Sequence, residues 1–285
     1  MYFKRFIPLL FCFTFTSCLR EKIVLDDFGT SNAIAVTSFL TANDLQVHVK
    51  LSKASKVIGG GFEPTLPITD ATVEMNDGQE NLEFLYDQMS DSYISSPASG
   101  FFVTEKQFNL QVKVPGLGQF SSSTKIIPQF LPEISEGSVR SETINGQTNY
   151  QFSLKWKDQV GAVNYYRLMP VLSSVNKNDP LDSLFMPLHQ NKIFVYDETS
   201  LKEGEIQIEE NVLSTNFGID EYRVIGLKFF LLNVDENYYK YHLGIQKLNG
   251  FEDFNNPVFL FGNIQNGYGV FSSYNGMTQK TFYMK

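Results

Sequence analysis

LQVHVKLS, Leu45 to Ser52, alternates without a break. Leu45, Val47, Val49 and Leu51 fall on one face; Gln46, His48 and Lys50 fall on the other. Successive side chains of an extended chain point to opposite faces, so a repeat of two with one polar face predicts a half-buried antiparallel strand. The pattern spreads outward from there. IAVTSFL (34–40) precedes it, and ATVEM (71–75), NLEFLYD (81–87), SYISS (92–96) and FNLQVKV (108–114) follow. Asn76-Asp77-Gly78 between two of these runs is a hairpin signal. About six short strands in about a hundred residues predict a small β-sandwich of immunoglobulin-like architecture. No Cys-Trp-Cys pattern ties it to true immunoglobulin domains.

The second half is also strand-rich. In FSLKWKD, Phe152, Leu154 and Trp156 alternate with Ser153, Lys155 and Lys157. NYYRLMPVL (164–172), KIFVYD (192–197), EIQIEE (205–210) and RVIGLKFFLLNV (223–234) are further candidates. One helix is predicted over about 235–249, with Asp235 as N-cap and Val234 stapled to Tyr239. Tyr238, Tyr241 or His242, Ile245 and Leu248 recur at helical spacing, and Asn249-Gly250 stops the run. Pro128, Pro132 and the polar stretch 133–147 read as an interdomain link. The segment 53–69, with Gly59-Gly60-Gly61, Pro64 and Pro67, reads as an inserted loop whose binding role stays open. The expected class is mainly β. Residues 1–17 would be a signal peptide, 18–131 an immunoglobulin-like sandwich, and 132–285 a β-rich domain with one helix.

The leader reading rests on Lys4 and Arg5, then the apolar run FIPLLFCFTF (6–15), then FTSC ending at Cys18. The run is too short to span a bilayer, which needs roughly 20 residues. A cysteine after short residues that follow an apolar core is the pattern of a bacterial lipoprotein signal. Cleavage before Cys18 and acylation of that residue are expected. Cys12 lies in the removed piece, so Cys18 would be the mature chain's one cysteine, without a disulfide. Each buried methylene of a lipid adds about 0.8 kcal/mol, enough for several chains to anchor the protein without a membrane helix. The residues after Cys18 are Leu-Arg-Glu-Lys and contain no Asp retention signal, which favours the outer membrane over the inner. Removal of Lys4 and Arg5 lowers Lys plus Arg from 23 to 21 against 31 acids, a net charge of −10. That charge repels phosphate backbones, and no nucleic-acid partner is expected.

Catalytic signatures are sparse. The chain has no G-x-S-x-G elbow and no H-E-x-x-H pair, and its histidines His48, His189 and His242 lie far apart. His48 on a polar strand face reads as solvated, and His242 as packed or exposed in the helix. Carboxylate neighbours such as Asp197-Glu198 and Glu209-Glu210 point to opposite faces of a strand, so adjacency does not oppose them across a bond. No enzyme activity, cofactor or metal site is expected.

GNIQNGYGVF (262–271) gathers three glycines and two asparagines. A phosphate loop would need Lys-Ser/Thr after its last glycine, leading into a helix; here Val270 and Phe271 follow. Asn266-Gly267 instead suits a two-residue type I′ turn, with positive φ at both central positions. If a partner meets this tip, Asn263, Asn266 and Tyr268 are the side chains expected to touch it.

Several segments, taken in order, resemble a family of outer-membrane lipoproteins called domain of unknown function 4249, typical of Bacteroidota. The lipobox Cys18 comes first, then a strand ending in Leu51-Ser52 before a long loop, then DATVEMND (70–77). NYYR (164–167) follows Trp156 to Asp158, and FVYDETSLKEG (194–204) comes next. The helix carrying Tyr238 and Tyr241 precedes NPVFLFGNIQNGYGVF (256–271), which is similar to the family's closing signature. The resemblance implies an immunoglobulin-like N-terminal part and a β-rich C-terminal part. It also implies a location at the outer membrane and work beside a TonB-dependent receptor, at the periplasmic face or the cell surface. No catalytic residues are assigned to the family. The expectation is a non-enzymatic accessory or substrate-capture subunit of a TonB-dependent transporter. The alternative is a structural subunit of another outer-membrane complex, for assembly or motility, or an adhesin.

Overall fold

The computed structural model describes residues 33–284 apart from 43, 54–66, 146, 160, 189–192, 203, 216–220 and 250–259. Cys18, the centre of the 53–69 loop, His189 and the stretch 256–259 therefore lie outside the described residues. The described chain is mainly β with one α-helix.

Seven strands come first: β1 (Ile34–Leu40), β2 (Val47–Lys53), β3 (Thr72–Asn76), β4 (Asn81–Asp87), β5 (Ser92–Ser95), β6 (Gln107–Val114) and β7 (Gly118–Lys125). They run in the order β1-β2-β5-β4-β3-β6-β7. Their inward faces share one core that includes Val36, Val49, Leu51, Met75, Phe108 and Leu110. The sheet curls around this core until β7 returns to the segment before the last strand. There the Gln265 amide donates to Ser121 O at 2.8 Å, and Ser122 Oγ donates to Asn263 O at 2.8 Å.

The second half holds β8 (Ile134–Ile144), β9 (Gln147–Lys157), β10 (Tyr165–Asn176), β11 (Ser183–Pro187), β12 (Phe194–Asp197), β13 (Leu201–Lys202), β14 (Glu205–Thr215) and β15 (Tyr222–Val234). The helix α1 (Glu236–Asn249) and β16 (Tyr268–Tyr283) follow. β8, β9, β14 and β13 form a four-stranded sheet. It closes on β10 and β15 over a core of Phe152, Leu154, Trp156, Tyr166, Leu168, Leu227, Phe229 and Leu231. The alternate residues of β15, Phe230, Leu232 and Val234, face away from that core and meet Tyr238 and Tyr239 of α1. Both faces of β15 are thus buried toward its end, and FFLL (229–232) is continuously apolar for that reason.

β16 belongs to both halves. Its first residues pair in parallel with β1, from Ala35 with Tyr268 to Leu40 with Ser273. Its later residues pair antiparallel with β15, from Val234 with Tyr274 to Gly226 with Tyr283. Phe271 is fully buried in the first core, and Phe282 packs against the second. The last strand therefore joins the strands of both halves into one continuous twelve-stranded sheet.

Five expectations need correction. Leu45 is 79 % exposed: the chain bends at 45–46 and the strand begins at Val47, so Leu45 never joins the inward row. The stretch 133–147 is not a link but strand β8 and the start of β9. β8 lies at the sheet's edge with few inward residues, chiefly Ile134 and Val139, so its sequence stays polar. β7 was not anticipated. Its inward residues after Phe120 are Ser122 and Thr124, which are held by hydrogen bonds and so leave no apolar pattern. β11 was also missed. Finally, Asn266 takes a positive φ of 64° but Gly267 does not, so the 266–267 turn is not type I′.

Candidate functional site

The closing stretch 262–271 proves to be a clamp. The side-chain amide of Asn263 donates to Phe271 O at 2.7 Å, and its Oδ1 accepts from the Phe271 amide at 2.9 Å. Asn266 Nδ2 donates to Gln119 O on β7 at 3.2 Å. Gly269 has φ +100°, and a Cβ built there would lie 2.0 Å from Val36 O on β1. Only a glycine lets the strand approach so closely with that φ. Two of the three residues expected at a partner surface, Asn263 and Asn266, spend their amides on the protein's own backbone. Tyr268 keeps an exposed ring.

The histidines separate in the same way. His242 is buried, and its ring stacks on Tyr238 at 4.2 Å. Its Nδ1 meets Tyr238 O at 2.9 Å and its Nε2 meets Arg167 Nη1. A carbonyl accepts only from a protonated nitrogen and a guanidinium only donates, so these partners assign the neutral tautomer with hydrogen on Nδ1. Burial, reinforced by the Arg167 charge, pushes the imidazole down to about 3. Arg167 also lies over the Tyr238 ring, 5.6 Å from its centroid, and donates to the Tyr238 hydroxyl at 2.6 Å. Phe39 of β1 packs on the same ring at 4.7 Å. Strand β1, the helix and strand β10 therefore meet on a single tyrosine.

Beside this junction lies a groove of about 470 Å³. That is within the range of small-ligand sites, roughly 300–1,000 Å³. Its lining includes Thr37, Phe39, Met169, Leu232, Tyr238 and Tyr274. Ser38, Asp44, Gln46, His48, Lys50 and Ser92 complete it. Gln46, His48 and Lys50 are the polar face of LQVHVKLS, the face that alternation turned outward. That much the sequence set. It gave no sign that Met169, Leu232 and Tyr274, far along the chain, would line the same groove. Those contacts exist because β16 is shared and α1 folds back across it.

Electrostatics in the groove centre on Asp44. Burial raises its carboxyl above the usual range, opposed by a hydrogen bond from the Thr41 amide to Oδ2 at 2.8 Å and by the nearby His48. The Tyr274 hydroxyl is raised by burial and by the Asp44 charge. His48 Nδ1 lies 3.3 Å from Ser92 Oγ, a loose contact, and Ser92 Oγ also reaches Ser90 O at 3.1 Å. Among the described residues no carboxylate hydrogen-bonds His48. Nor do the described residues contain three grouped His, Cys, Asp or Glu side chains suited to a metal ion. The groove thus combines apolar and aromatic side chains with hydrogen-bonding ones.

No helix among the described residues is long and apolar enough to cross a membrane. No curated protein matches the chain. The family described as "Domain of unknown function (DUF4249)" matches residues 21–280, nearly the whole sequence, and the chain belongs to that family.

Proposed function

We propose that the protein is a non-enzymatic lipoprotein of the outer membrane, anchored through lipid on Cys18. In this reading it serves a TonB-dependent transporter as the subunit that captures substrate. The observation that carries the reading is the preformed groove at the junction of the two β-units. A binding site held between packed elements costs little ordering when a ligand enters. The FTSC motif at Cys18 supports the membrane location, and the acidic mature chain argues against a nucleic-acid role. In the closing clamp, Tyr268 is the side chain free to meet a receptor.

Purification of the native protein in mild detergent tests the transporter role. Recovery together with a TonB-dependent receptor is the expected result; recovery alone, with the receptor in other fractions, overturns it. Cys18→Ala tests the anchor separately. The variant should remain unprocessed or become soluble, and normal membrane fractionation of it would refute lipidation at this residue.

A further inference from the structure

Strand β8 leaves a backbone edge open. It ends the four-stranded sheet, and no strand among the described residues pairs its other side. Its first residues are held against β16, where Lys280 Nζ donates to Ile134 O and the Phe282 ring packs on Gly137. From Arg140 to Ile144 every residue is exposed. The hairpin fixes which backbone groups face outward. Ile144 pairs with Gln147 across a two-residue turn, and the closing pair of such a turn is hydrogen-bonded. The register then runs unshifted back to Glu136. Bonded and non-bonded pairs alternate along an antiparallel ladder, so Glu142, Arg140 and Ser138 also spend their N–H and C=O groups on β9. Val139, Ser141 and Thr143 turn theirs to the open edge. Such a row is a template for another strand.

The side chains select the strand. Arg140 and Glu142 flank Ser141 on the face opposite the buried Val139. Among the described residues neither has an ion-pair partner. An antiparallel copy of β8 centred on Ser141 sets each Arg140 directly against the copy's Glu142. Backbone geometry also allows the copy to slide by two residues either way. One slide puts Arg140 against Arg140, and the other puts Glu142 against Glu142. Opposite charges directly across a strand pair stabilise it and like charges oppose it, so one register is favoured. Charged side chains ordinarily keep open edges apart. Here they are of opposite sign and complement a second copy of the same edge.

We propose that β8 is the contact of a homodimer. Two copies join edge to edge in a two-fold, antiparallel pairing centred on Ser141, and two four-stranded sheets become one of eight strands. Val139, Ser141 and Thr143 of each copy exchange up to about six backbone hydrogen bonds. Two Arg140–Glu142 ion pairs flank the centre. The contact shares no residue with the groove and stands apart from the transporter role.

The test measures the mass of the full-length chain in detergent micelles by light scattering over a range of concentrations. The natural chain should be a dimer that dissociates on dilution. Arg140→Glu sets like charges opposite each other on both sides of the centre and should weaken association by about tenfold or more. Adding Glu142→Arg to that variant should restore the dimer. Ser141→Cys should form an intermolecular disulfide under mild oxidation, because directly opposed residues lie within disulfide reach. Ser138→Cys should not. All four positions are exposed, and thermal melts confirm that the variants fold. A monomer at every concentration overturns the proposal. So does a dimer that Arg140→Glu leaves intact, or one that links through Ser138→Cys instead. A monomeric natural chain that loses receptor co-purification in Arg140→Glu assigns the edge to the receptor and equally overturns the second copy.

Discussion

Asp235 Oδ2 accepts a hydrogen bond of 2.7 Å from the backbone amide of Ser273. The same carboxylate caps α1, with Oδ1 accepting from the Tyr238 amide at 2.7 Å, and Oδ2 also meets Thr124 Oγ1 of β7 at 3.2 Å. One side chain therefore ties the helix start to the shared strand and to the edge of the first curl. Ser273 Oγ extends the tie by donating to Lys125 O at 2.9 Å, and Asn275 Nδ2 does the same for Ile127 O at 2.8 Å. The groove depends on this seam, because Phe39, Tyr238 and Tyr274 reach it from three different elements.

Asp235→Ala should cost about 2–4 kcal/mol. Loss of the cap contributes about 0.5–2 kcal/mol, and a buried amide left without a partner at Ser273 contributes about 1–3 kcal/mol. Asp235→Asn should fall between the variant and the natural chain, since an amide oxygen still caps the helix. Urea unfolding midpoints measure both. An alanine variant within about 0.5 kcal/mol of the natural chain would show that the seam does not depend on this residue.

The buried neutral imidazole of His242 predicts acid sensitivity. Its folded value lies near 3 against 6.5 for the free side chain, so the unfolded chain binds the proton first. Stability from this group is fully present above pH 6.5 and is lost as pH falls toward about 3. The slope approaches about 1.4 kcal/mol per pH unit. His242→Gln should remove this slope from the difference between the two unfolding curves. Identical pH dependence in variant and natural chain would contradict the assignment.

Gly269→Ala should prevent stable folding or cost upwards of about 3 kcal/mol. The added Cβ meets Val36 O at 2.0 Å, and φ +100° strains any L residue. Thermal melting and soluble yield read the effect. A melt unchanged from the natural chain would mean that β1 and β16 do not approach as closely as described.

Asn263 and Tyr268 should respond in opposite ways. Asn263→Ala removes both bonds to Phe271 and should cost about 2 kcal/mol. Tyr268→Ala removes an exposed ring and should change stability by less than about 0.5 kcal/mol while weakening receptor co-purification. A large loss of stability in Tyr268→Ala would return that residue to the fold.

Much of the architecture is legible in the sequence because burial imposes a period. LQVHVKLS and FSLKWKD show alternation, and Asp235 before an apolar stripe at helical spacing marks α1. Wherever one face meets a hydrophobic core, the residue pattern records it. The pattern fails at β7 and β8. Ser122 and Thr124 of β7 point inward but are satisfied by Asn263 O and Asp235 Oδ2, partners more than a hundred residues away. β8 lies at an edge and keeps a mostly exposed face. Hydrogen-bonded interiors and edges place no hydrophobic demand on a sequence, so nothing local reveals them.

The sequence by itself determined a β-rich chain, one capped helix, an acidic surface and the outward row Gln46, His48 and Lys50. Only the tertiary structure decided what that row faces. The parallel pairing of β16 with β1 and its antiparallel pairing with β15 bring Tyr274 and the Tyr238 of α1 into one groove with that row. It also decided that GNIQNGYGVF closes a curled sheet, with the Asn263 and Asn266 amides bonded to the protein's own backbone. Long-range backbone pairing is set by which distant strands bury a common core, and that choice leaves its mark on no single stretch of residues.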